Sequence, residues 1–504
     1  MIVSEIQLLP LLGAGIVLYP IYLVIYRLYF HPLSPFPGPK LAAMTGWYET
    51  LVDLLSNPQG QFMLEIPRMH ERYGPIVRIN PHEIHVQDPT WLDTLYSGKR
   101  DKYPPTAIMT GVPKSIFGTV SHELHRLRRS AYQSLFSKAN ISTATPLIYD
   151  NVDLLIKRMD AQVARDGSAE MRLNFLSFAT DTVAFYCTGK TRGLLEDEDY
   201  ALKWHKTIVT LTESTLPGRH FPWMVPLMLK LPLSIARTFM AKSARFIALH
   251  REMEVVAQDK IAAYQSAEFE KGKLQNVFEL CLSNGNLPLS EKTFDRVSQE
   301  AVLCIAAGGE TTARSLTTAM YYLLTHPEAL SRVQDELSTV MPYEDSRPSL
   351  TTLEHLEWLT AVIKESLRIL GLSTTRFPLI SKEPLRYKDW VIPAGTPVSM
   401  TVREILLDPE VFENPLEFRP ERWLSTNPDL DRLNRSYVPF GRGNRMCIGL
   451  NLGYAELYIV LASLFRRKSM ALYDTIKERD VDIVRDCFIG EVSLQTKGVK
   501  VTYV

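Results

Sequence analysis

The chain has 504 residues, 46% hydrophobic and 22% charged, with a formal net charge of zero. That composition excludes a disordered or fibrous protein and provides for a large buried core, while the neutral balance gives no reason to expect nucleic acid as a partner. The five cysteines, at 187, 281, 304, 447 and 487, form no CxxC pair and no disulfide framework, which suggests a reducing compartment where a single thiolate can serve as a metal ligand.

From Ile6 to Tyr26 no residue is charged, and a stretch on the order of 20 residues predicts a membrane-spanning helix. Residues 1–30 are therefore read as an anchor. Arg27 and Lys40 lie on its C-terminal flank, which places the bulk of the chain on the cytoplasmic side. A cleaved signal peptide is the rival reading, but the apolar run is long for one and no small-x-small site follows it. Residues 31–39 hold four prolines, predicting a stiff extended hinge. No repeat or second linker follows, so 40–504 reads as one domain.

Alternating residues over Ile76–Val86, and over Ser493–Tyr503 with a Lys497-Gly498 turn, predict two hairpins. Most of the remainder has helical period, which makes the fold class mainly α with small β-sheets. The longest helix is expected from about Ser290 to Thr325, stopped by His326-Pro327. It contains Ala307-Gly-Gly-Glu-Thr-Thr312, and consecutive glycines inside a helix cost about 1 kcal/mol each relative to alanine. Something must offset them, either a local opening of the helix or a packing notch where two helices cross. A further helix is expected to open on the capping box Thr351-Thr-Leu-Glu354 and to carry Glu365 and Arg368 three residues apart.

Near the C-terminus the chain reads Phe440-Gly-Arg-Gly-Asn-Arg-Met-Cys-Ile-Gly449, followed by a helical stretch from Leu450 to Phe465. Glycines around one cysteine point to a tight loop whose backbone approaches something flat or bulky. The start of the next helix and the cation Arg445 both favour a thiolate at Cys447. A buried structural cysteine is the plain alternative.

Phe440, Gly443, Arg445, Cys447 and Gly449 fill the pattern FxxGxRxCxG, and in this the sequence resembles the cytochrome P450 superfamily. The resemblance implies that fold, with haem b held by the Cys447 thiolate and the loop shaped by Phe440, Gly443 and Gly449. It further implies that the helix opens at Gly308-Gly309 to leave room for dioxygen, the reading favoured over a packing notch, and that Glu310 and Thr311 form an acid–alcohol pair relaying protons during O–O cleavage. Glu365, Arg368 and Arg422, the last in Phe418-Arg-Pro-Glu-Arg-Trp423, would form a buried charge lock holding the thiolate loop. Ser121–Arg129 is similar to the family's WxxxR helix, with His125 where the family has Trp. Arg129 and Arg445, and behind them His125 and Arg376, are then the candidates for the haem propionates.

No GxGxxG follows a strand, so the resemblance implies electrons from a separate NADPH–cytochrome P450 reductase, with cytochrome b5 as a further donor. Its docking face is expected near Arg126, Arg128 and Arg442. The segment Leu216–Lys230 either dips into the bilayer or packs as a core connection. With the 101–120 region, Leu372–Thr375 and the Phe488–Gly490 turn it would line a pocket for a lipophilic substrate. Tyr29–Ala43 is similar to fungal members, which implies an endoplasmic reticulum membrane protein oxidising a terpenoid or polyketide intermediate. The other readings are a haem-dependent isomerase or dehydratase without dioxygen, and a haem-binding sensor without turnover.

Overall fold

The computed structural model describes residue 16 and residues 18–265 and 276–504, so most of the predicted span Ile6–Tyr26 lies outside the described residues. Among those described, no helix is long and apolar enough to cross a membrane. Ile21, Tyr22 and Ile25 point outward from the helical segment that enters the domain, which ends in a π-helical turn at Tyr26–Phe30. The Pro-rich segment is packed rather than free. Leu33 and Phe36 are buried, the Phe36 ring stacks on Trp390 at 4.9 Å, and the Arg78 N–H donates to Pro37 O at 2.7 Å.

In chain order, the elements that position the site begin with α1 (Trp47–Leu54), β1 (Ile76–Arg78), β2 (Ile84–Val86), β3 (Arg100–Lys102) and α2 (His122–Tyr132). β4 (Ala169–Glu170) leads into α3 (Met171–Thr188), followed by α4 (Glu198–His220), α5 (Met224–Lys230) and the long α6 (Phe294–Thr325). Then come α7 (Glu357–Leu370), β5 (Leu379–Ser381), β6 (Pro397–Ser399), α8 (Leu450–Arg467) and β7 (Met470–Tyr473). The chain closes with β8 (Arg485–Cys487), β9 (Ile489–Glu491) and β10 (Lys500–Tyr503). The fold is mostly helical, as expected. One sheet has the order β1-β2-β6-β5-β3, with β2 and β6 the parallel pair.

The Ile76–Val86 hairpin forms in the expected place, Ile76 facing Val86. The C-terminal one does not. β10 pairs instead with β7 and β4, because Val501 is buried between Leu472 and Ala169 and a local hairpin would leave it without that cover. The expected capping box also moves. Ser349 caps a one-turn helix, Leu350–Glu354, and the chain breaks before α7, whose first N–H groups at Trp358 and Leu359 donate to the distant Glu336 carboxylate. A capping pattern cannot reveal that an acid on another helix does the same work.

α6 runs through the core as one uninterrupted helix of 32 residues. α3 lies along it, and the glycine pair is the reason it can. A Cβ on Gly308 would come within 2.7 Å of Val183, and one on Gly309 would collide with the Thr180 hydroxyl. The packing notch therefore accounts for both glycines, and the helix is not opened there. Gly309→Ala is expected to cost about 1–3 kcal/mol through overpacking. Adding Thr180→Ala removes the colliding oxygen and leaves contacts of 3.3 Å to Leu176 and 3.4 Å to the Cβ of residue 180. The double variant should then recover most of the loss in thermal unfolding; a simple sum of the two single effects would refute the contact.

Candidate functional site

The cysteine loop is built from backbone conformations that side chains resist. Gly441 and Gly443 take φ of +74° and +72°, and a Cβ on Gly443 would strike the Tyr96 carbonyl. The Cys447 N–H donates back to Phe440 O at 2.9 Å, closing the loop just before α8. Gly449 ends the loop without a side chain, and its N–H is hydrogen-bonded to the Cys447 sulfur. The Phe440 ring lies 5.1 Å from that of Tyr454 on α8.

Cys447 is accessible by surface area, yet protein surrounds its sulfur closely enough for desolvation to raise the thiol pKa. The Gly449 N–H and the Arg129 charge act in the opposite sense. A sulfur both accessible and desolvated faces an internal space. Cys187, Cys281 and Cys487 are buried outright and offer no such atom.

Beside the loop is a concentration of positive charge. Arg129 on α2 donates to Met446 O at 2.7 Å, and Arg445 donates to Thr119 O and Val120 O at 2.8 and 2.7 Å. The buried Lys102 on β3 donates to Phe117 O at 2.5 Å. Among the described residues none of the three is bonded to a carboxylate. Burial pulls the Arg445 pKa down to about 10, and lowers those of Arg129 and Lys102 as well, the last also through the Arg445 charge. His125 is buried among them and is driven down to about 3 by burial and then by Arg445, Arg129 and Lys102. The buried Arg445 Nε has no partner. Three clustered cations, one buried and two half-buried, with no carboxylate bonded to any of them, fit an anionic cofactor, and the two carboxylates of a haem would suit this donor set.

Arg376 does not join the cluster. Its guanidinium bridges Glu83 and Glu49 at 2.8 and 2.6 Å, and that charge is already neutralised. Lys102, by contrast, was not singled out from sequence. It stands in the charged run Lys99-Arg-Asp-Lys102, which reads as a solvated strand end, and only the fold covers it.

On α6 the Thr311 hydroxyl donates to Ala307 O at 2.8 Å; both residues keep accessible surface, as do Leu303, Cys304, Ala306 and Gly308 beside them. Glu310 turns away toward α3. Arg172 holds its Oε1 at 2.6 Å and also holds Glu491 at 2.7 Å, so the acid belongs to a buried chain Glu310–Arg172–Glu491. Its Oε2 has no protein partner. The expected acid and alcohol are sequence neighbours here but occupy different sides of the helix.

The predicted lock is assembled as expected and is larger. Glu365 takes two bonds from Arg368 at 2.8 and 2.9 Å and one from Arg422 at 3.3 Å. The Trp423 Nε1–H at 2.8 Å and the Arg419 N–H at 3.0 Å complete the set. Trp423 then packs on Tyr437 at 4.8 Å, the Tyr437 hydroxyl meets that of Tyr454 at 3.2 Å, and Tyr454 reaches Phe440. This aromatic ladder connects the Glu365 cluster to the cysteine loop.

One of the three expected docking arginines lies inside the protein rather than on its surface. Arg128 is buried in a bidentate pair with Glu291 at 2.6 and 2.9 Å, and Arg442 pairs with Asp93 at 2.7 Å. Arg126 is exposed, with Glu123 at 3.3 Å.

A family model described as Cytochrome P450 matches residues 46–502. A tryptophan 6-hydroxylase of Fusarium equiseti is 39% identical over 501 residues, 98% of this chain and 97% of its own. A cytochrome P450 monooxygenase of Ascocoryne sarcoides is 37% identical, covering 99% of each chain. An N-acetyltryptophan 6-hydroxylase of Emericella nidulans is 36% identical, over 94% of this chain and 92% of its own.

Proposed function

Because the chain belongs to the cytochrome P450 family of monooxygenases, we propose that it inserts one oxygen atom from dioxygen into a lipophilic small molecule of fungal secondary metabolism. The observation that carries this reading is the accessible Cys447 sulfur with the Arg129 charge beside it, in a group where Arg129, Arg445 and Lys102 gather about His125. Terpenoid and polyketide intermediates remain candidates for the substrate. The names of two relatives add compounds with an aromatic ring.

In this reading the Cys447 thiolate would hold the haem iron, and Arg129, Arg445, Lys102 and His125 would hold the haem carboxylates. Bound haem supplies the dioxygen and electron-transfer chemistry. Thr311 presents its hydroxyl on the accessible side of α6, and Ala307 O fixes its orientation. Glu310 is held by Arg172 through Oε1 and keeps Oε2 free to accept a hydrogen bond. Electrons come from a reductase, as in the family; the exposed Arg126 and the half-exposed Arg442 are the proposed contacts.

The proposed seat on a membrane rests on outward apolar residues. Trp47 and Leu51 of α1 and Leu55 just after it are exposed, as are Trp223 and Leu227, and the Trp47 ring lies 6.2 Å from Phe221. Together with the apolar sequence of residues 1–30, this face supports the reading of a domain seated against the endoplasmic reticulum membrane.

The test is turnover with reductase, NADPH and isotopically heavy dioxygen. One heavy oxygen per product is expected; product formed without NADPH or dioxygen would assign an isomerase or dehydratase instead. In Thr311→Ala, NADPH oxidation should continue while product per NADPH falls at least about tenfold and hydrogen peroxide rises. Unchanged coupling would remove Thr311 from the relay.

A further inference from the structure

The hairpin β8–β9 turns on a single residue. Cys487 pairs with Ile489, and Phe488 between them has φ of +75°, a conformation in which glycine or asparagine is expected and a bulky side chain is strained. The hairpin is held there from several sides. Asp486 accepts from Thr374, Thr375 and Arg219 at 2.8, 2.7 and 2.9 Å, and the Gly490 N–H donates to Leu372 O at 2.8 Å. Such anchoring can sustain a strained tip, but it does not require a phenylalanine at that tip.

What the phenylalanine does is bring its ring against two others. Phe488 lies 5.5 Å from Phe117 and 5.7 Å from Phe377, and those two lie 5.8 Å apart, all edge-to-face. The Lys102 ammonium sits over the Phe117 ring at 3.4 Å. Each ring is only half-buried, although the residues around the tip, Cys487 and Ile489, are buried.

The cluster is bracketed by the two halves of the site. On one side Arg445, two residues before Cys447, is bonded to Thr119, two residues after Phe117. On the other, Arg314, one turn beyond Thr311 on α6, donates to Gly490 O at 3.2 Å.

We infer that Phe488, with Phe117 and Phe377, is a specificity-determining residue that forms an aromatic wall for a planar aromatic portion of the substrate. This rests on the monooxygenase reading and narrows its substrate class. The ring edges and faces left open by an edge-to-face trio suit a flat π-system better than a saturated skeleton of equal size. The strain at residue 488 is the cost at which that wall is completed.

The experiment uses ferric, haem-loaded full-length protein and two probes of the same carbon skeleton, naphthalene and decalin, with binding measured by equilibrium dialysis and by the Soret shift. Wild type should bind naphthalene more tightly than decalin. Phe488→Leu keeps the backbone strain and much of the apolar bulk but removes the ring. It should weaken naphthalene about threefold to tenfold and leave decalin within about twofold. Phe488→Gly relieves the strain and should leave the thermal unfolding midpoint unchanged or higher.

Equal loss of both probes, no loss of either, a lowered midpoint in Phe488→Gly, or no preference for naphthalene in wild type would each overturn the assignment. The measurement needs no turnover, so its failure leaves the monooxygenase reading standing. Failure of the oxygen-incorporation test likewise leaves this binding result unaffected.

Discussion

Cys447→Ala should give a folded protein that no longer shows the thiolate-type Soret band when reduced under carbon monoxide and that loses at least about a thousandfold in turnover. The loop should survive the change, because the backbone bond from residue 447 to Phe440 O and the glycine conformations at 441 and 443 do not depend on the sulfur. No other thiol can replace it: three of the remaining four are buried, and Cys304 lies on α6 rather than in the loop. Circular dichroism would verify the fold and the carbon monoxide spectrum would report the ligand. A thiolate-type spectrum persisting in Cys447→Ala would dismiss the assignment.

Glu365→Ala should be the most damaging single change to the fold, about 3–5 kcal/mol or more, because it strands the buried Arg368 and Arg422 guanidiniums. Five donors converge on this one carboxylate, and Glu365 and Arg368 are fully buried. Arg368 keeps bonds to Leu406 O and Pro415 O, but carbonyls do not neutralise its charge. Glu365→Gln, which keeps the shape and loses the charge, should fall between wild type and alanine. Trp423→Phe removes one donor and should cost only about 1 kcal/mol. Yield of haem-loaded protein and the unfolding midpoint measure the series. An alanine variant as stable as wild type would show that the network is dispensable. The aromatic ladder predicts that the carbon monoxide spectrum of surviving protein degrades along with stability.

The parts of the site readable in sequence were those whose chemistry is compressed into a short stretch. The glycines and cysteine between Phe440 and Gly449 need one another locally, so their spacing carries the loop. Glu365 and Arg368 lie one helical turn apart, and their partner Arg422 follows in a compact Pro-Glu-Arg-Trp stretch. What failed depended on distant segments. Arg376 and Arg128 are arginines like any other until Glu83, Glu49 and Glu291 fold against them. Lys102 looks solvated until residue 117 closes over it. The C-terminal residues have strand character, but their partner is fixed by what Val501 must be buried against, which no local alternation encodes. For Gly308 and Gly309 the family resemblance favours a local opening of the helix, and it is Val183 and Thr180 on the distant α3 that make them a packing notch instead.

That contact between α3 and α6 also sets an order on how this sequence can change over generations. A lineage that first replaces Gly309 passes through a crowded intermediate, whereas one that first trims residue 180 gives up the hydrogen bond from Trp204 at 3.2 Å and then finds the second step open. The two positions are 129 apart in the chain, yet this contact ties their changes together, and the route through a smaller residue at 180 is the less crowded one.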